Sequence, residues 1–361
     1  MNTILKTRFN GRNGIMNIDS KILTPKVSIA PMVDRTDRHF RYFARIITKK
    51  SLLYTEMVTA QAIINGKRDR LLDFDSFEKP ISLQIAGSTP EDVYNAVKIA
   101  EDWDYDEINL NAGCPSDRVA GNEMGACLMA YPELVRDIIK AMKEATKKPV
   151  TLKHRIGIEG KNILPASFER TLLDRYEDMI NFIDKVEESN PDRYTIHARI
   201  AILEGLSPKE NREIPPLRYE EVYKVKEEKP NLQIEINGGI KTIDEMEKHL
   251  RYVDGVMIGR AAYDNPIILR EVDKFFKSGE INNISRREII EEFIPYIETL
   301  EKNGENPHVA LTHTLGLFLG EKGSKIWKQI VSPASSKNIK RSELLKEGLK
   351  NLPEESLDSR I

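Results

Sequence analysis

The chain has 361 residues, 40% of them hydrophobic and 31% charged, so it can bury a sizeable core beneath a well-charged surface. Two cysteines are too few for a secreted scaffold held together by disulfides, and no apolar run approaches the roughly 20 residues that cross a bilayer. The formal net charge of −2 excludes a surface that is basic all over, so any nucleic acid has to meet a local patch.

Residues 1–18 hold Lys6, Arg8 and Arg12 and no acid. That is the composition of a transit-like leader or of a disordered extension, with Met16 as an alternative start. The expected location is cytoplasmic, or organellar if the leader is a transit segment. Beyond it, short β-rich runs alternate with helical patterns. Strands are predicted at 27–31, 52–56, 81–85, 107–111, 150–155, 194–197, 233–237 and 255–258. Helices are predicted at 37–47, 59–65, 90–103, 132–146, 175–188, 219–228, 243–250 and 265–276. Eight alternations in roughly 250 residues imply a closed parallel (β/α)8 TIM barrel. An open doubly wound sheet would carry a glycine-rich turn after the first strand, where this chain has Met32, Val33, Asp34 and Arg35.

After Gly279 the pattern changes. Ile290, Phe293, Ile294 and Ile297 fall at helical spacing, as do Leu311, Leu315, Phe318 and Leu319. Residues 321–350 contain eight Lys or Arg against three Glu, either a solvated helical face or a basic patch. The expected organisation is an extension at 1–20, a barrel at 21–282, a helical domain at 283–352 and a tail at 353–361.

Barrels of this kind carry their chemistry at the carboxyl ends of the strands. Asn237-Gly238-Gly239 and Gly259-Arg260 follow the last two strands, the loops where such barrels bind phosphate. Glycine lets backbone N–H groups approach an anion, and arginine adds a charged fork. Lys153 ends strand five, where a lysine is costly unless it meets an anion, an electron-rich group or a neighbouring acid. Gln84 on strand three can bond a heterocycle edge or the backbone. Cys114 sits on a turn between Gly113 and Pro115, whereas Cys127 lies in an apolar run and reads as core. His197 ends strand six and can meet a phosphate or a substrate carbonyl, or be structural. No second His or Cys lies at ligand spacing, so no metal is expected.

Together these stretches resemble the tRNA-dihydrouridine synthase family, in particular the bacterial branch that acts on D-loop uridines 20 and 20a. The matching strings are APMVDRTDRHFRYF, LLYTEMVTAQAI, ISLQIAGS, YDEINLNAGCPSDRV, GACLM, TLKHRIGI, TIHAR, GLSPKENREIPPL, INGGI and DGVMIGRAAYDNP, spread from about Ser28 to Pro266. The NxGCP and SPKENREIPPL strings are the specific ones. The resemblance implies FMN held by Pro31, Met32, Val33, Gln84, Lys153, His197, Asn237, Gly238, Gly239, Gly259 and Arg260. It implies Cys114 as general acid, NADPH or NADH as reductant, and tRNA contacts at Asn111, Lys209 and Arg212. Lys325 and Lys328, either side of Trp327, stand where the family tends to place arginines and are expected to meet tRNA, without an arginine's two-pronged phosphate grip. The segment 161–175 is longer than usual for this branch.

The reaction so implied sends hydride to C6 of uracil and a proton to C5. A thiol with an ordinary pKa of about 8.5 can supply that proton, and no strongly basic pocket is expected around Cys114. A monomer is expected. The competing readings are an FMN-dependent reductase of a free pyrimidine and a non-catalytic tRNA-binding protein.

Overall fold

The structure is a computed structural model that describes residues 24–115, 124–161, 164, 169–332 and 339–361. Residues 1–20, with the leader and Met16, lie outside the described residues, as do parts of 161–175 and of the basic stretch 321–350. The strands are β1 (Val27–Ile29), β2 (Leu52–Thr59), β3 (Ile81–Ala86), β4 (Glu107–Ala112), β5 (Val150–Glu159), β6 (Leu172–Leu173), β7 (Arg193–Ile202), β8 (Ile234–Asn237) and β9 (Gly255–Ile258). Hydrogen-bonded neighbours run β4-β3-β2-β1-β9-β8-β7-β5, and β4 pairs with β5 to close the circle. All of these pairings are parallel, which makes a (β/α)8 barrel.

The helices cover the barrel because their apolar residues fall on one face. Asp37 caps helix Arg38–Ile47 by accepting from the His39 and Phe40 N–H groups at 2.9 Å, and Phe40, Phe43, Ala44 and Ile47 turn inward. Thr89 caps helix Pro90–Ala100, which buries Val93, Ala96, Val97 and Ala100. Each fully buried Phe, Ile or Val among these contributes roughly 1.5–3 kcal/mol relative to exposure. The outward residues of the strands, such as Ile108, Leu110, Leu152, Ile196 and Ile236, meet them in one continuous core.

Several elements depart from the sequence pattern. The single helix predicted at 265–276 is instead two 3-10 turns, Pro266–Arg270 and Val272–Phe275, behind a short helix Arg260–Asp264. Pro266 has no N–H and forces Asn265 out of the helical region, to φ −139° and ψ 73°. Strands β5 and β7 also run past the predicted ends and stay paired as far as Glu159 and Ile202. There β6 adds antiparallel to β5. Gly157 permits that approach, because a Cβ at this position would lie 2.2 Å from the Leu173 carbonyl oxygen.

Beyond the barrel, a Ser285–Glu288 capping box opens helix Arg286–Lys302, which packs on helix Arg38–Ile47. Helices His308–Thr312, Ser324–Val331 and Arg341–Asn351 follow, and Trp327 is buried among them with its Nε1 donating to the Thr314 carbonyl at 3.1 Å. Helix Glu354–Leu357 folds back, held by Arg287 to Glu354 at 2.6 Å and to Asp358 at 2.7 Å. The helical region is tied to the barrel beside its mouth. His313 Nε2 lies 2.9 Å from the Asp37 carboxylate, and His39 Nδ1 lies 2.7 Å from the Tyr296 hydroxyl. Among the described residues no helix is long and apolar enough to cross a membrane, and no group of three or more His, Cys, Asp or Glu side chains is placed to hold a metal.

Candidate active site

The barrel's interior is polar. Arg193 on β7 reaches Tyr54 on β2 at 2.7 Å and Glu107 on β4 at 2.7 Å, although β7 pairs with neither strand. These side chains therefore cross the lumen. Ser28 and Thr195 donate to Glu235 at 2.6 Å each, and Ser82, Thr151 and Tyr54 donate to Glu107 at 2.8–2.9 Å. The lower lumen is thus a closed ionic layer around Arg193. Burial pushes the Glu235 carboxyl up, and the Arg193 guanidinium opposes that shift.

One layer higher the register brings the predicted residues together. Gln84 stands beside Asn109, Asn111 beside Lys153, Arg155 beside His197, and His197 beside Asn237. The Gln84 amide donates to Asn109 and accepts from Asn111, each at 2.8 Å. That leaves one N–H and one carbonyl lone pair uncommitted. Asn111 Oδ1 accepts from the backbone N–H groups of Gly113 at 3.1 Å and Cys114 at 3.0 Å, which fixes the turn that presents the part-exposed thiol. Cys127 is buried in the 3-10 turn Gly125–Ala130.

Lys153 opens partly to the mouth, yet among the described residues no hydrogen bond or ion pair engages its ammonium. Burial, helped by Arg155, pulls it down to about 8. His197 likewise has no hydrogen-bond partner among the described residues, and burial followed by the charges of Arg155, Lys153, Arg199 and Arg212 holds its ring neutral. Gly238 and Gly239 take φ of +123° and +70°, which favours glycine, and a Cβ on Gly238 would lie 2.8 Å from the His197 ring. Asn237 Nδ2 donates to the Met257 carbonyl at 2.8 Å, tying this loop to β9. Gly259 lies against Met32, whose neighbours Pro31 and Val33 continue along the mouth with Val33 exposed.

Arg260 is bound to Glu213 at 2.6 Å and to the Arg212 carbonyl at 3.3 Å. It therefore joins the loop after β9 to the turn Glu210–Arg212, on which Lys209 and Arg212 are exposed. Asn211 anchors that turn by bonding the Ile202 backbone on both sides at 2.8 Å. Lys325 and Lys328 sit apart, exposed on helix Ser324–Val331.

The surroundings of Cys114 correct the sequence expectation. Lys153, Arg155 and Arg212 all lie near enough to interact electrostatically with it, so the pocket is basic. Lys153 and Arg155 share β5, whereas Arg212 comes from the turn Glu210–Arg212, and only the fold sets all three beside Cys114. Arg155 was overlooked for the same reason. Its guanidinium donates to the carbonyls of Gly113 at 2.9 Å, Ile200 at 2.9 Å and Asn211 at 3.0 Å, stapling the Cys114 turn to the Lys209–Arg212 turn. Arg199, which donates to the Pro215 carbonyl, was missed as well. A signal was available: Glu107-Asn109-Asn111, Thr151-Lys153-Arg155 and Arg193-Thr195-His197-Arg199 are polar at every second position of strands whose alternate positions are mostly aliphatic.

The family model for dihydrouridine synthase (Dus) matches residues 28–353. The tRNA-dihydrouridine(20/20a) synthase of Synechocystis is 48% identical over 325 residues, covering 90% of this chain and 93% of that protein. The enzyme of the same name from Pseudomonas putida is 48% identical over 85% of this chain and 88% of its own, and that from Vibrio vulnificus is 46% identical over 91% and 98%. Among solved structures, a 2-naphthoyl-CoA reductase complex superposes with a TM-score of 0.51 at 11% identity, covering 69% of this chain and 50% of that one, a likeness of fold alone.

Proposed function

The chain belongs to the dihydrouridine synthase family, and from that premise we propose that it reduces the C5=C6 bond of uridines 20 and 20a in the D-loop of tRNA, with FMN as cofactor and NADPH as reductant. The observation that carries the cofactor reading is Lys153, a cation in the barrel mouth with no partner among the described residues. Such a group is costly unless a ligand meets it. The rest of the mouth fits the same ligand. The uncommitted N–H and lone pair of Gln84 complement the alternating N–H and C=O edge of an imide ring. The positive-φ pair Gly238 and Gly239, with Gly259 and Arg260, suits a phosphate. Met32, between Pro31 and Val33, offers an apolar wall.

The chemistry supplied by bound FMN is a hydride for C6 of the uracil ring, replenished from NADPH. The protein's own residues perform the remainder. The Sγ–H of Cys114 gives its proton to C5 and is restored from solvent. Asn111 holds the N–H groups of Gly113 and Cys114, so the thiol arrives from a fixed turn. The nearby cations Lys153, Arg155 and Arg212 offset the negative charge that develops on the substrate oxygen. Lys209 and Arg212 face outward, where they can meet RNA phosphates while the target uridine leaves the stack. Lys325 and Lys328 extend that contact.

Mapping dihydrouridine in tRNA from cells lacking the gene tests the assignment. Loss at positions 20 and 20a, restored by the wild-type gene and not by Cys114→Ala, is the expected result. Unchanged tRNA, with purified protein reducing free uracil or orotate instead, would overturn it. A purified protein without flavin absorbance would remove the cofactor.

A further inference from the structure

One hydrogen-bond chain joins the ionic layer of the lumen to the Cys114 turn. It begins at Glu107, 2.7 Å from the Arg193 guanidinium. A carboxylate so paired can only accept. The Thr151 hydroxyl, 2.8 Å away, must therefore donate to it. The hydroxyl's lone pair is what remains for Asn109, whose Nδ2 donates at 2.8 Å. Asn109 Oδ1 then accepts from Gln84 Nε2, and Gln84 Oε1 accepts from Asn111 Nδ2, both at 2.8 Å. Asn111 Oδ1 is left for the N–H groups of Gly113 and Cys114. Each amide is oriented by its neighbour, and both ends have a fixed sense, because a carboxylate accepts and a backbone N–H donates. Thr151 and Asn109 are wholly buried, so water offers these two no alternative partner.

We propose that Asn109 and Thr151 are positioning residues that lock the Gln84 and Asn111 amides in one orientation, so that a bound flavin or uracil ring meets a single, non-invertible pattern of donor and acceptor. Neither residue needs to touch the ring. The inference rests on the flavin reading above for its ligand but not for its hydrogen bonds. An inverted amide would set N–H against N–H and oxygen against oxygen on an imide edge. Replacing Thr151 by the isosteric valine removes the acceptor that Asn109 requires. The amide then either stays unsatisfied or turns over and breaks its bond to Gln84. The positioning role requires the second outcome, in which a change at Thr151 loosens amides that Thr151 does not touch.

The test compares full-length wild type with Thr151→Val, Thr151→Ser, which keeps the hydroxyl, and Val135→Ala, a buried position on an outer helix. Side-chain amide hydrogen exchange is followed by NMR in ligand-free protein, and FMN affinity by quenching of flavin fluorescence. In Thr151→Val, exchange at Asn109, Gln84 and Asn111 should rise together by about tenfold or more, and FMN should bind about tenfold more weakly, the loss of one net hydrogen bond. Thr151→Ser should restore both, and Val135→Ala should alter the melting temperature alone. Faster exchange confined to Asn109 would overturn the proposal. So would equal behaviour of the serine and valine variants, or the same loosening in Val135→Ala. If wild type binds no FMN while Thr151→Val still frees Gln84 and Asn111, the flavin reading falls and the positioning chain stands.

Discussion

The lower and upper halves of the barrel lumen use charge in opposite ways. Below, Arg193 meets Glu107 at 2.7 Å with Glu235 close by, and hydroxyls of Ser28, Tyr54, Ser82 and Thr151 from four further strands complete the layer. Above, Lys153 and His197 have no hydrogen-bonding partners among the described residues, and three arginines lie around them. A buried charge with a partner maintains the fold, whereas one without a partner is tolerated when something else is to be bound there. The amide chain from Glu107 to Cys114 is where the two halves meet.

The sharpest way to break this comparison is to remove one cation from each half. Arg193→Met leaves Glu107 and Glu235 buried without their counter-charge, and should cost about 3–5 kcal/mol in urea denaturation. Lys153→Met deletes a half-buried charge that has no hydrogen-bond or ion-pair partner among the described residues, so ligand-free stability should hold within about 1 kcal/mol or rise, while FMN is lost. Equal destabilisation by the two would mean that the halves do not differ. A pH series separates them further. Burial and Arg155 lower Lys153 from 10.5 to about 8, so between those values the unfolded chain holds a proton that the folded chain lacks. Stability of ligand-free protein should therefore rise with pH across that window, and the Lys153→Met variant should lose this rise. FMN affinity should move the other way, weakening as pH climbs past about 8 and the ammonium is lost.

A smaller but still large effect is expected within the upper half. Cys114→Ala should leave flavin reduction by NADPH intact and lower dihydrouridine formation about 10²- to 10⁴-fold, the usual range for a lost general acid. Cys127→Ala, in the core, should cost roughly 0.5–3 kcal/mol of stability and leave both half-reactions unchanged. Single-turnover reduction measured separately from tRNA modification distinguishes them. Equal rates of modification in both variants would remove Cys114 from the chemistry.

The barrel was legible because the strands' outward faces are mostly aliphatic and most of the following helices repeat at 3.6 residues, both local patterns. The loops carrying Cys114, Gly238 and Arg260 were legible for the same reason, since each follows a strand directly. The lumen was harder to read. Arg193 appears in sequence as an ordinary charged residue at a strand start, and only barrel closure sets it against Glu107 and Tyr54. Arg155 stands two residues from Lys153 and points the same way, yet its three carbonyl partners are 42 to 56 positions distant. The basic setting of Cys114 arises from such distant cations, which is why the expectation of a pocket without strong positive charge failed. The helix expected at 265–276 failed on one local detail, the proline at 266.

The smallest effect concerns positive charge outside the lumen altogether. Lys325 and Lys328 are one helical turn apart on helix Ser324–Val331, and Trp327 between them is wholly buried. Seating the indole turns both lysines outward, and neither has an ion-pair partner among the described residues. The neighbouring Lys322, by contrast, is engaged by Glu355 at 2.8 Å. Free lysines on a docked helix can solvate its surface or meet a polyanion. If they meet tRNA, Lys325→Glu with Lys328→Glu should raise the Michaelis constant for tRNA about three- to tenfold and flatten the salt dependence by about one to two units of log–log slope. FMN content and NADPH oxidation should not change, because the proposed flavin site lies in the barrel mouth. Filter binding across a salt series reads the slope directly. An unchanged slope and affinity would show that the helix only solvates itself. The RNA would then be gripped at the barrel rim, where Lys209 and Arg212 stand exposed on a turn fastened from beneath by Arg155 and Asn211.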